Sequence, residues 1–79
     1  MTFDRFKHTV LVVDPSANNR TQLCECLSQL PEIQAIAAGD GAQAMRLFRE
    51  RPPSLVLLDI SLHDTDSLTL ARDMRTWEC

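Results

Sequence analysis

No apolar run in this 79-residue chain approaches the about 20 positions that a membrane-spanning helix needs. The opening Met-Thr-Phe-Asp-Arg-Phe-Lys-His carries charge with no apolar segment behind it, so no secretory signal is read there. Basic excess is missing too. Eight Lys and Arg stand against 11 Asp and Glu, a formal net charge of −3, which leaves no electrostatic footprint for a phosphate backbone. The chain is therefore expected to be cytoplasmic, with neither a membrane nor nucleic acid as a direct partner. Cysteine is sparse and odd in number, at three. Cys24 and Cys26 are two apart, a spacing that sends helical side chains to different faces, and His8 and His63 lie too far off for a zinc pattern. Packing or surface thiols and solvated histidines are the expectation.

Against these absences stand two acids, Asp14 and Asp59, each closing a short apolar run: Val10-Leu11-Val12-Val13 and Leu55-Val56-Leu57-Leu58. Such runs are the pattern of parallel strands covered on both faces. In open α/β sheets ligands bind beyond the carboxyl ends of the strands, so two acids on neighbouring tips would share one crevice. An acidic pair there can hold a divalent cation.

The remaining segments supply the other elements. After Asp14, Pro15 suits a first helical turn and Ser16 a cap, and a helix is expected to about Leu30 with Leu23, Cys24, Leu27 and Leu30 as its apolar stripe. Ile33 to Ala38 alternates as a second strand. Asp40 and Gln43 then have the spacing of a capping box, opening a helix that buries Ala44, Met45 and Phe48 until Pro52-Pro53 ends it. Beyond the third strand, a third helix is expected from about Asp66, with Leu68, Ala71 and Met74 inward. The order β-α-β-α-β-α, with no linker or repeat, calls for parallel pairing through right-handed crossovers in a doubly wound sheet. In strand order 2-1-3 the first and third strands are neighbours, and their tips lie about 5 Å apart. One domain over residues 1–79 is the limit of such a chain; at this length only about 60% of the unfolded surface is buried and the stability margin is thin.

Val-Leu-Val-Val-Asp, Ala-Gly-Asp-Gly-Ala-Gln-Ala-Met and Pro-Ser-Leu-Val-Leu-Leu-Asp-Ile, in this order and spacing, resemble the receiver domain of two-component response regulators from Thr9 to Arg75. The resemblance implies a flavodoxin-like sheet, here stopping after three of five β-α units. It implies that Asp59 accepts a phosphoryl group from a histidine kinase or a histidine phosphotransfer protein, the chain being a signalling domain rather than an enzyme. It implies that Mg²⁺ is held by Asp14, Asp59 and the backbone carbonyl of Ser61, offsetting charge repulsion as a carboxylate meets an anionic donor.

Departures from that pattern open a second reading. Pro15 replaces the second acid after the first strand and offers no side-chain oxygen, so weakened Mg²⁺ binding is expected, with Ser16 a poor substitute. In the loop after Asp59, His63 stands where the family carries proline and Ser67 where it carries glycine, while Asp66 still matches and is most simply a helix cap. The fourth-strand hydroxyl residue and fifth-strand lysine of the family have no counterpart. Lys7, the single lysine, precedes the first strand and lies about 20 Å from the Asp14 end. The alternative function is accordingly a degenerate receiver, or a fragment of a larger regulator, acting only as a protein-interaction module. In order 2-1-3 the apolar third strand is also an edge, and it is expected to be covered by self-association, by a partner protein or by residues outside this sequence.

Overall fold

A computed structural model describes residues 8–59 and 67–78. Six elements follow one another as the apolar patterning requires: β1 (His8–Val13), α1 (Ala17–Ser28), β2 (Ile33–Ala38), α2 (Gly41–Glu50), β3 (Leu55–Leu58) and α3 (Ser67–Glu78). The strands form one parallel sheet in the order β2-β1-β3. The expected α/β architecture and strand order are thus present. β1 is central because its four residues Val10 to Val13 are apolar on both faces, and all four are buried.

Alternation along β1 divides the interior. Leu11 and Val13 point with Ala38 into a core completed by Ala44 and Phe48 of α2 and by Leu70 and Met74 of α3. Val10 and Val12 project to the opposite face, where α1 packs on β1 and β2. That second layer is thin. α1 buries no residue fully, and Leu23 and Leu30, two members of its expected stripe, are exposed. The helix lies chiefly over β1 and β2, so the part of the stripe turned toward β3 meets little, and Leu30 falls in the turn beyond the helix.

Two further expectations change, at Pro15 and in α3, while the edge position expected of β3 is present. Pro15 precedes the helix cap instead of occupying the first turn: Ser16 is the cap, its hydroxyl accepting from the Asn19 amide at 3.2 Å. β3 has the composition of a doubly covered strand but the position of an edge strand, with Leu55 53% exposed. In α3 the inward stripe is Ser67, Leu70 and Met74, whereas Leu68 is 75% exposed and Ala71 is exposed as well. Both stripes share Met74, and the observed one follows the i, i+3, i+7 spacing of a single helix face. The choice between them depends on where α2 lies, since α3 packs chiefly on α2 and Leu70 meets the Phe48 cluster there.

Turn chemistry places the strand tips. At the β2–α2 turn the Asp40 carboxylate accepts from the Gln43 amide at 2.8 Å, while the Gln43 side chain reaches back to the Gly39 amide at 3.0 Å. This is the capping-box spacing, with the return bond made one residue earlier than in its usual form. α2 ends where the Arg51 amide donates to the Leu47 carbonyl, just before Pro52 and Pro53.

Candidate functional site at the tips of β1 and β3

The ladders run one residue past each strand. The Asp14 amide donates to the Ala38 carbonyl at 3.1 Å, and the Asp59 amide donates to the Val13 carbonyl at 2.9 Å. Since Val13 pairs with Leu58, Asp14 and Asp59 come next in register on adjacent strands, about 5 Å apart across the ladder. Both line one open hollow of about 330 Å³ together with Val13, Leu23, Leu57 and Leu58. The two acids singled out from the sequence are therefore brought together, on a floor of apolar side chains. Ser61, the third proposed metal ligand, lies outside the described residues, as do Lys7, His63 and Asp66.

The two carboxylates have different surroundings. Asp14 is 7% exposed, and its Oδ1 accepts from the Ser16 amide at 2.8 Å, a local turn that strand-end aspartates commonly make. Pro15 sits inside this turn, where its lack of an N–H costs no hydrogen bond. Asp59 is half-buried. The amide on one side of it is held by Val13, and its own carbonyl accepts from the Ser67 hydroxyl at 2.6 Å.

Two residues that sequence reasoning passed over shape the site. Arg20 extends from α1 to the tip of β1, where its Nη1 donates to the Asp14 carbonyl at 2.6 Å. Its guanidinium lies so close to Gly39 that a Cβ there would stand 3.0 Å from Nη1. One side chain thus links α1, the Asp14 turn and the β2–α2 turn. The signal was available in part: Arg20 follows the Ser16 cap by one helical turn, on the side that returns toward Asp14. Ser67, noted in the sequence only as a replacement for glycine, is 5% exposed and bonded to Asp59 from eight residues away. Nothing local in the sequence announces that bond.

Two carboxylates fit what Mg²⁺ asks of a protein, since that ion is commonly held by one or two carboxylates with water and phosphate oxygens completing its shell. The chemistry of the donors present is thus suitable. It is also minimal, as no cluster of three or more His, Cys, Asp or Glu able to hold a metal occurs among the described residues. Elsewhere, a hollow of about 340 Å³ runs along β3 between Phe48, Pro53, Leu55, Leu58 and Met74, without a carboxylate. Cys24 is half-buried and Cys26 exposed, both as free thiols, and His8 lies 3.3 Å from the Ser54 hydroxyl near the start of β3, the end of the sheet remote from the acids. No helix among the described residues is long and apolar enough to cross a membrane.

Comparison with known proteins points the same way as the geometry. A solved receiver domain described as CheY-like, from Methylobacillus flagellatus, superimposes with a TM-score of 0.80 at 26% identity, over 86% of this chain and 57% of that one. A LuxR-family two-component response regulator from Aurantimonas sp. SI85-9A1 gives 0.81 at 26% identity, over 90% and 51%. Among curated proteins, a probable chemotaxis protein CheY from Rhizobium etli is 36% identical over 70 residues, 89% of this chain and 54% of that protein. A protein-glutamate methylesterase/protein-glutamine glutaminase from Nitratidesulfovibrio vulgaris is 40% identical over 65 residues, 81% of this chain but 18% of its own length. The chain thus spans about half of the former relative and a smaller part of the latter. The model of the response regulator receiver domain matches residues 10–78, nearly all of the sequence, and the chain belongs to that family.

Proposed function

We propose that this chain is a phosphoacceptor domain of a two-component phosphorelay, with Asp59 the residue modified. The observation that carries the reading is the placement of Asp14 and Asp59 in register on adjacent strand tips, lining one hollow. The donor is a phosphohistidine of a histidine kinase or a histidine phosphotransfer protein, in keeping with the family. A carboxylate oxygen of Asp59 attacks phosphorus, the P–N bond breaks, and the imidazole leaves with a proton. The chain is then the recipient of the group and not an enzyme in its own right, and a phosphorelay of this kind operates in the cytoplasm.

Two anions meeting in that step repel each other, and a bound Mg²⁺ supplies the charge that offsets this. Asp14 and Asp59, with the Ser61 carbonyl that the family resemblance implies, would hold it. The residues of the chain do the rest. The Arg20 bond to the Asp14 carbonyl and the Ser16 bond to Oδ1 orient Asp14 before any ligand arrives, and the Leu57 and Leu58 side chains lower the local dielectric around the pair. Pro15 removes one oxygen donor, so the affinity for the cation is weak.

The test is intact-mass measurement after incubation with acetyl phosphate and Mg²⁺. Wild type gains one phosphoryl group and Asp59→Asn gains none. An adduct of equal size on Asp59→Asn refutes the assignment. One observation favours the second reading, a binding module without phosphorylation: an Asp14 oxygen is already engaged by the Ser16 amide, beside a proline. That reading expects no adduct on wild type, with partner binding intact in Asp59→Asn. On either reading the exposed edge at β3 favours a cover, by a second copy, by another protein or by further residues of a longer chain. A single monomeric species in sedimentation at high concentration would exclude self-pairing.

A further inference from the structure

The Asp59 backbone is held on both sides of its Cα. Its amide donates to the Val13 carbonyl at 2.9 Å, a bond that any residue at this strand tip would make. Its carbonyl accepts from the Ser67 hydroxyl at 2.6 Å, a bond that needs this side chain. Ser67 is the first residue of α3, is 5% exposed, and shares its inward stripe with Leu70 and Met74 of the core. Its position is therefore set by the packing of the whole helix, and the bond conveys that rigidity to Asp59. With both adjoining peptide groups fixed, the Asp59 Cα–Cβ direction is fixed as well. Glycine, which the resembled pattern carries at this position, has no hydroxyl with which to do this.

We infer that Ser67 is a positioning residue for Asp59: its buried hydroxyl clamps the Asp59 carbonyl and aims the carboxylate into the hollow shared with Asp14. The inference rests on the phosphoacceptor reading for its consequence, but the clamp itself has a signature that needs no phosphoryl transfer. Without it, the Asp59 carbonyl gains freedom to rotate and the attacking oxygen spends less time in line with a donor. Misplacement on the scale of 1 Å can cost about 100-fold in rate, and partial loss of aim through one hydrogen bond corresponds to about 10-fold.

The experiment compares wild type with Ser67→Ala, Ser67→Gly and Ser67→Thr in the full chain. Adduct formation on Asp59 from acetyl phosphate with Mg²⁺ is followed by intact mass over a range of donor concentrations. Ser67→Ala and Ser67→Gly are expected to lower the saturating rate about 10-fold while leaving the half-saturating donor concentration unchanged, and Ser67→Thr to recover it to within about twofold. A purely structural role for Ser67 would show as a lower urea midpoint without that split or that rescue. In parallel, NMR reads the Asp59 carbonyl and carboxylate ¹³C shifts in the absence of donor. Both are expected to move in Ser67→Ala and Ser67→Gly and to return in Ser67→Thr. A wild type that takes up no phosphoryl group overturns the phosphoacceptor reading and leaves the clamp to be judged by NMR. Unmoved Asp59 shifts in both the Ala and Gly variants, or an unchanged saturating rate, overturn the clamp.

Discussion

Replacing Arg20 by alanine is expected to cost this chain a large fraction of its stability. The side chain makes a 2.6 Å bond from Nη1 to the Asp14 carbonyl, and its neighbours are a helix that buries no residue fully and a glycine turn. Hydrogen bonds to charged groups are worth about 1.5–3 kcal/mol. Arg20 is half-buried, so the lower end applies, and loss of the packing of its aliphatic stem brings the total to about 2 kcal/mol. Set against about 4–12 kcal/mol for a domain of this length, that is a sixth to a half of the whole. With a urea slope of about 1 kcal/mol per M, the midpoint followed by far-UV circular dichroism falls by about 2 M. Gly39→Ala sharpens the test. Gly39 has no positive φ, so alanine suits its backbone, yet the added Cβ would press on the pinned guanidinium at 3.0 Å. With Arg20 present the substitution should destabilise by about 1 kcal/mol; with Arg20→Ala in the same chain it should stabilise by about 0.5 kcal/mol. The sign must invert. A midpoint shift under about 0.5 M for Arg20→Ala, or Gly39→Ala effects that simply add, would refute the linking role assigned to Arg20.

Three other substitutions probe the remaining links. Phe48→Ala empties the centre of the α2–α3 core and is expected to cost about 3–5 kcal/mol, lowering the midpoint of a thermal melt by at least about 12 °C. Asp40→Ala removes the α2 cap and should lower stability by about 1 kcal/mol in urea unfolding, with Asp40→Asn recovering most of it. Pro15→Asp restores a second acid beside Asp14 and is expected to tighten Mg²⁺ binding at least severalfold in calorimetric titration; an unchanged affinity would remove Pro15 as the cause of a weak site.

Much of the site was legible because its determinants are local. Apolar runs that end in Asp14 and Asp59 mark strand tips, and the single helices between strands require parallel pairing, so both acids are directed to the same end of one sheet. The Ser16 and Asp40 caps could be read from residue type and a spacing of three. What could not be read depends on contacts between segments far apart in the chain. Leu68, Ala71 and Met74 are the more apolar set, Ser67, Leu70 and Met74 keep the tighter i, i+3, i+7 spacing, and the Phe48 cluster receives the second.

The order of elements, the strand alternation and the placement of Asp14 and Asp59 at one end of the sheet follow from the sequence alone, because each rests on periods of two or about 3.6 residues and on turns a few residues long, whereas the order β2-β1-β3 that makes the two acids neighbours is a tertiary outcome. The tertiary structure alone decided how thinly α1 covers its face, which side of α3 is buried, and that Arg20 and Ser67 hold the backbone on which the two acids stand. Those outcomes depend on where whole helices come to rest, and the bonds of Arg20 to Asp14 and of Ser67 to Asp59 exist only once packing has set those distances.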